Sequence, residues 1–206
     1  MEFFGEEEAY GDAHASVGLD GSAFHLHPAP SGTPAKAIPR ARSVSDSFRE
    51  TMRALASGVV LITTEVGGRP WGVTVTSCCS LSVDPPRLLV SLMRNTATCQ
   101  SILAGGTFGV DLLGDAHKRV AQFGSARGAP KFLDTEPGIS VRGGTLAPMV
   151  DGALSHVDCE LEQVYDGDDH SIIVGRVVDV VLAHPHSSAS PLLYFDGGFF
   201  HLGGPL

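Results

Sequence analysis

Short hydroxyl and thiol side chains crowd residues 70–86, PWGVTVTSCCSLSVDPP, ahead of a double proline. In an extended strand, alternation sets Trp71, Val73 and Val75 on one face and Gly72, Thr74 and Thr76 on the other. The apolar face is expected to pack into a core. The threonine face, continued by Ser77-Cys78-Cys79-Ser80, offers donors along an edge that suits a flat heteroaromatic ring with carbonyls and ring nitrogens. Plain strand propensity explains the same threonines. A second chemical group is His170, preceded by Asp168 and Asp169, whose carboxylates favour the imidazolium; a surface turn histidine is the bland alternative. A third is Arg94-Asn95-Thr96-Ala97-Thr98 at the start of an expected helix. Asn95 and Thr96 there serve as caps, as anion ligands beside the helix N–H groups, or as both.

Two histidine pairings raise metal chemistry. His156 and Cys159 form H-x-x-C, and His184 and His186 form H-x-H. Strand alternation puts Cys159 opposite His156, Pro185 turns the second pair, and no further pair completes a four-ligand set, so no metal site is expected.

The elements that must position these groups are short. Ser47 and Glu50 have the spacing of a capping box, with Phe48, Met52 and Leu55 at helical intervals and Gly58 closing the helix. Residues 59–64 and 71–77 read as a hairpin around Gly67-Gly68, and 87–93 as a further strand. Residues 96–103 read as a helix and 107–113 as a strand. A second short helix spans 115–123, capped by Asp115, with Val120 and Phe123 on one side. Residues 124–150 read as a long loop. Strands follow at 154–164 and 171–182, joined by 165–170, and a last pair at 192–195 and 199–202 turns at Asp196-Gly197-Gly198. Many short strands with few helices predict a mainly β chain, a barrel with helical attachments. Residues 1–43, with an acidic cluster and a Pro/Gly/Ser stretch, are expected to be a disordered or loosely attached extension to a domain at 44–206.

The 206 residues carry a formal net charge of −9 without a Lys/Arg run, which disfavours nucleic acid. No apolar run reaches membrane-spanning length, and the acidic start is unlike an export signal, so a cytoplasmic protein is expected. The four cysteines are then small buried residues, not disulfides. G-x-G-x-x-G, P-loop and G-x-S-x-G patterns are missing.

Four segments in order resemble the flavin reductase-like family, whose fold is the FMN-binding split barrel. They are FRETMRALASGVVLITT (48–64), GRPWGVTVTSCCSLSVDPPRLLVSL (68–92), RNTATCQSI (94–102) followed by TFGVDLL and AQFGS, and DDHSIIVGRV (168–177). Two positions depart from the family pattern: Asp168 replaces the glycine before Asp-His, and Cys78 stands where relatives are often aromatic. The resemblance implies a split β-barrel and an NAD(P)H-dependent reductase of FMN or FAD that hands reduced flavin to a partner monooxygenase, working as a homodimer. Its flavin edge would be Gly72, Val73, Thr74, Thr76, Ser77 and Cys78. Met93, Arg94, Asn95, Thr96, Thr98 and Cys99 would complete the cofactor site, with Asn95, Thr96 and Thr98 at the phosphate. Phe123, Gly124 and Ser125 would line the flavin tail, and Lys131 is a lesser phosphate candidate. Asp169, His170 and Tyr194 would meet the nicotinamide, His170 as the catalytic residue that orients it for hydride transfer, with Phe200 near the same opening. A flavin-binding module without turnover, and an oxidase on the related pyridoxamine-phosphate oxidase-like barrel, are the competing functions.

Overall fold

The computed structural model describes residues 43–182 and 190–202. The chain divides into two units, Met1–Arg42 and Ser43–Leu206, and all described residues belong to the second. The expectations for residues 1–42 and for His184 and His186 fall outside the described residues.

Helix α1 (Val44–Arg53) begins earlier than the sequence pattern predicts. Ser43 is its N-cap, accepting from the Asp46 N–H at 3.1 Å, so Ser43-Val44-Ser45-Asp46 supplies the cap in place of Ser47 and Glu50. The helix ends at Ala54, and Gly58 belongs to the short strand β1 (Ser57–Gly58).

Strands β2 (Val60–Val66) and β3 (Arg69–Val75) form the expected hairpin, with Gly67 and Gly68 both at positive φ as its two-residue turn demands. Then come β4 (Cys78–Val83), β5 (Pro86–Met93), helix α2 (Ala97–Gly105) and β6 (Thr107–Leu112). A 3-10 turn at Asp115–His117 leads into α3 (Lys118–Ser125). The stretch predicted as loop carries another 3-10 turn, Leu133–Thr135, and a hairpin of β7 (Val141–Gly143) and β8 (Pro148–Val150). Strands of three residues are too short to show alternation, which hid them. Long strands β9 (Ser155–Gly167) and β10 (His170–Leu182) follow, extending the predicted pair until only Asp168-Asp169 remains as turn. The last hairpin is β11 (Leu192–Phe195) and β12 (Gly198–His201).

Seven strands form one antiparallel sheet in the order β3-β2-β6-β9-β10-β5-β4. Its two edge strands are consecutive in the chain and joined only by Thr76-Ser77, so the sheet must curl until its edges meet. The result is the expected barrel. Its interior holds Ile62, Val90, Ile102, Phe108, Val110 and Ile173. A second core lies outside the wall, where Leu61, Leu113, Val120 and Leu133 pack beneath α3 and the 3-10 turn. Strand β2 serves both cores, which is why Val60, Leu61, Ile62, Thr63 and Thr64 are all buried. All four cysteines are free; Cys99 and Cys159 are buried as expected, whereas Cys79 is exposed.

Candidate active site

Strand β5 leaves the sheet at Met93, and Arg94-Asn95 lead into α2, capped by Thr96. The Thr96 hydroxyl donates to the Met93 carbonyl at 2.7 Å and accepts from the Cys99 N–H at 3.3 Å. Across the sheet, Met93 is the register partner of His170, so the β9–β10 turn sits beside the start of α2. The Arg94 N–H donates to the Asp169 carbonyl at 2.9 Å, tying the two segments together. The Arg94 guanidinium pairs with Asp166, whose carboxylate also accepts from the Asp168 N–H at 3.0 Å. His170 Nδ1 lies 2.6 Å from Asp169 Oδ1. These contacts hold both carboxyls below the usual range: the Arg94 hydrogen bond acts first on Asp166, the His170 hydrogen bond first on Asp169.

The structure therefore brings Met93, Arg94, Asn95, Thr96, Asp169 and His170 into one mouth. Asp166 belongs to it as well, and sequence reading missed it by placing 165–170 in a loop; in a continued strand, its pairing with Ser171 sets it beside the turn.

Ser77 links this mouth to the β3–β4 corner. Its hydroxyl donates to the Ser91 carbonyl at 2.7 Å, and its own carbonyl accepts from the Ser91 N–H at 3.0 Å. Cys78 pairs with Val90 and packs on the barrel interior; burial first, then Cys79, pushes its thiol up to about 11. Val73 and Val75 also pack on the interior, as predicted.

The opposite face of β3 departs from expectation. It is half covered by α3 and not an open edge. Thr74 Oγ1 donates to the Ala121 carbonyl at 2.9 Å, and Gly72 lies against Leu61 and Leu133. Gly124 is what allows this contact, because a Cβ there would stand 2.9 Å from the Thr74 amide nitrogen and 2.8 Å from Leu61. What stays open is a recess of about 460 Å3 lined by Thr74, Thr76, Ser125, Arg127, Tyr194 and Phe199. Arg127 was not singled out from sequence, since a lone cation in a Gly-rich stretch carries no pattern.

Several expected residues sit elsewhere. The Thr98 side chain is buried and accepts from Trp71 Nε1 at 3.0 Å, while Cys99 is in the core. Tyr194 stacks edge-on with Phe199 at 5.5 Å, on the recess side, and no described contact joins it to His170. Phe200 packs against Phe195 at 6.0 Å. Phe123 packs against the outer core. Lys131 donates to the Ala126 carbonyl, and partial burial lowers its pKa.

The donor set fits an anionic, flat, hydrogen-bonding group. Arg94 keeps its Nε buried without a partner, beside the free N–H groups that open α2. His156 and Cys159 do not make a metal site. His156 is instead enclosed between two carboxylates, with Nδ1 at 2.8 Å from Asp111 Oδ1 and Nε2 at 3.2 Å from Asp158 Oδ1.

The curled antiparallel sheet, with an Asp–His segment at a hairpin tip beside a capped helix start, has the split-barrel architecture of the flavin reductases it superposes on. Residues 52–203 match the flavin reductase like domain, and the chain belongs to that family. It is 32% identical over 177 residues to the FMN reductase (NADH) RutF of Pseudomonas syringae, spanning 85% of this chain and 96% of that protein. The reductase component of 4-hydroxyphenylacetate 3-monooxygenase from Thermus thermophilus is 31% identical, over 79% of this chain and 99% of the relative. Among solved structures, the styrene monooxygenase flavin reductase of Pseudomonas putida S12 superposes with a TM-score of 0.69 at 30% identity, covering 78% of this chain and 99% of that one.

Proposed function

We propose that this chain is an NAD(P)H-dependent flavin reductase that supplies reduced FMN or FAD to a partner monooxygenase. The observation that carries the reading is the mouth where Met93, Arg94, Asp169 and His170 converge at the start of α2. Bound flavin supplies the hydride acceptor for a nicotinamide donor. The protein supplies position and charge. Backbone and hydroxyl groups along residues 72–78 are the hydrogen-bonding edge, with Thr76 and Ser77 free of the α3 cover that takes Thr74. Asn95 and the N–H groups of Ala97 and Thr98 that open α2 hold a phosphate, helped by the helix dipole and by Arg94, while Thr96 fixes the turn through its bonds to Met93 and Cys99. Thr98 contributes only its backbone there, and the Cys99 N–H is taken by the Thr96 cap. Gly124 and Ser125 border the flavin tail. His170, fixed by Asp169, orients the nicotinamide through a hydrogen bond, and this geometric role needs no proton transfer.

The reading extends to a homodimer. Helix α1 buries none of its residues, yet Val44, Phe48 and Met52 stand exposed at four-residue intervals along it, and Leu55 beyond its end is exposed as well. A ten-residue helix gains little stability in water without packing that stripe. The same chain carries an open apolar groove of about 710 Å3 lined by Val83, Leu112 and Val180. A second copy satisfies both surfaces at once, and Phe48→Asp is expected to lower the mass measured by light scattering to that of a monomer.

The function is tested by following NADH and NADPH oxidation by purified protein with no flavin, excess FMN or excess FAD. Flavin-dependent turnover is expected. Flavin binding without turnover of either donor would leave a binding module.

A further inference from the structure

We infer that Asp168 sets the preference between the two nicotinamide donors, acting against the one with the additional phosphate. This rests on the reductase reading, and it concerns a side chain to which the mouth itself assigns no hydrogen-bonding task.

The turn between β9 and β10 has only two central residues, Asp168 and Asp169, and only Asp168 has a positive φ, 61°. A two-residue hairpin with left-handed backbone at its first central position favours glycine there. Aspartate tolerates that region better than most residues but still gives up stability glycine would keep. The chain thus holds a carboxylate at a site where its backbone asks for none.

The charges of the mouth show what that carboxylate does. Arg94 is neutralised by Asp166, and His170 lies against Asp169. Asp168 uses its N–H on Asp166, but its own carboxylate has no hydrogen bond or ion pair among the described residues. It is exposed, one residue from the Asp169–His170 pair. Asp168 therefore adds a negative charge that no described cation pairs with, on a chain whose net charge is already −9.

Both donors carry a pyrophosphate, which the reductase reading brings toward this mouth behind the nicotinamide. NADPH brings one phosphate more, and so about two further negative charges near neutral pH. A fixed carboxylate repels that increment within a Debye length, and salt removes the effect. The turn thereby discriminates by charge, without a pocket shaped around either ribose.

The test measures kcat/KM for NADH and NADPH, with saturating flavin, in the wild type, Asp168→Asn and Asp168→Gly, at low and high ionic strength. Both variants are expected to raise the NADPH/NADH ratio roughly threefold to fivefold at low salt, and less than twofold in high salt. A ratio unchanged in both variants overturns the inference. So does a ratio that rises in Asp168→Gly alone, which would make backbone relief the cause, or a rise that high salt leaves intact. Turnover of neither donor by the wild type, with flavin bound, would instead overturn the reductase reading and remove the ground for this one. Flavin affinity, measured by fluorescence quenching, separates both outcomes from a misfolded mouth.

Discussion

Two histidines in this fold lie against aspartates, His156 in the barrel wall and His170 at its mouth, and their surroundings differ at every point. His156 is fully buried; Asp111 on β6 is its register partner, and Asp158 follows two residues later on the same face of β9. Both carboxylates also bind backbone. Asp158 accepts from the N–H groups of Thr145, Leu146 and Ala147 at 2.8–3.0 Å, and Asp111 accepts from Val150 at 3.1 Å. The triad thus clamps the β7–β8 hairpin to the wall. The pair at the mouth sits at the tip of the β9–β10 hairpin beside the helix start, open to solvent, and its carboxylate accepts from no N–H of another loop among the described residues. The same chemical pair holds a loop in one place and, on the function proposed above, meets the donor in the other. Burial decides which, because a buried ion pair binds whatever satisfies its remaining lone pairs, and an exposed one is free to exchange partners.

The comparison breaks most visibly at Asp158. Asp158→Ala leaves three loop N–H groups without their acceptor and removes one of the two carboxylates beside the buried His156, and is expected to lower stability by about 3–5 kcal/mol in chemical denaturation. His170→Ala should do the reverse. NADH turnover with saturating flavin is expected to fall about tenfold to a hundredfold, while the thermal midpoint moves by less than about 2 °C.

A third prediction concerns pH. Burial opposes charge on His156, but Asp111 and Asp158 outweigh it and raise its pKa above the ordinary 6.5. Burial likewise raises Asp111, against the hydrogen bonds from His156 and Val150. A raised folded value means that the folded state binds the proton more tightly. The contribution of His156 is therefore complete below about pH 6.5 and is lost as pH climbs through its folded value, at roughly 1.4 kcal/mol for each unit of difference. Among the described residues, His117, Cys159 and Asp179 are the other titratable groups that interact with the triad. Denaturant midpoints measured from pH 6 to 9 are expected to fall, and the fall should flatten in the Asp111→Asn/His156→Asn double variant. The smallest effect belongs to Asp169→Asn: an unchanged unfolding midpoint, with a raised KM for NADH.

Legibility in the sequence followed the same division between local and distant. The β2–β3 turn, the Thr96 cap and the β9–β10 strands rest on neighbours in the chain and were readable there. Asp111 and His156 are joined only by the β6–β9 register, and nothing within either segment announces the partner. Sequence spacing drew His156 toward Cys159 instead. The threonine face of β3 was read as open because α3, which covers it, is distant in sequence. Its cue was Gly124, a glycine inside a short helix. Arg94 and His170 stood in the sequence as separate candidates, and their junction through Asp166 and Asp169 emerged only from strand pairing.

The central claim is that the buried pair maintains the fold and the exposed pair serves the donor. It is tested most directly by measuring NADH turnover per folded molecule, with saturating flavin, in His170→Ala and His156→Ala side by side. The account predicts that His170→Ala loses turnover at unchanged stability, whereas His156→Ala loses stability and keeps turnover in the molecules that remain folded. Full turnover in His170→Ala would contradict it.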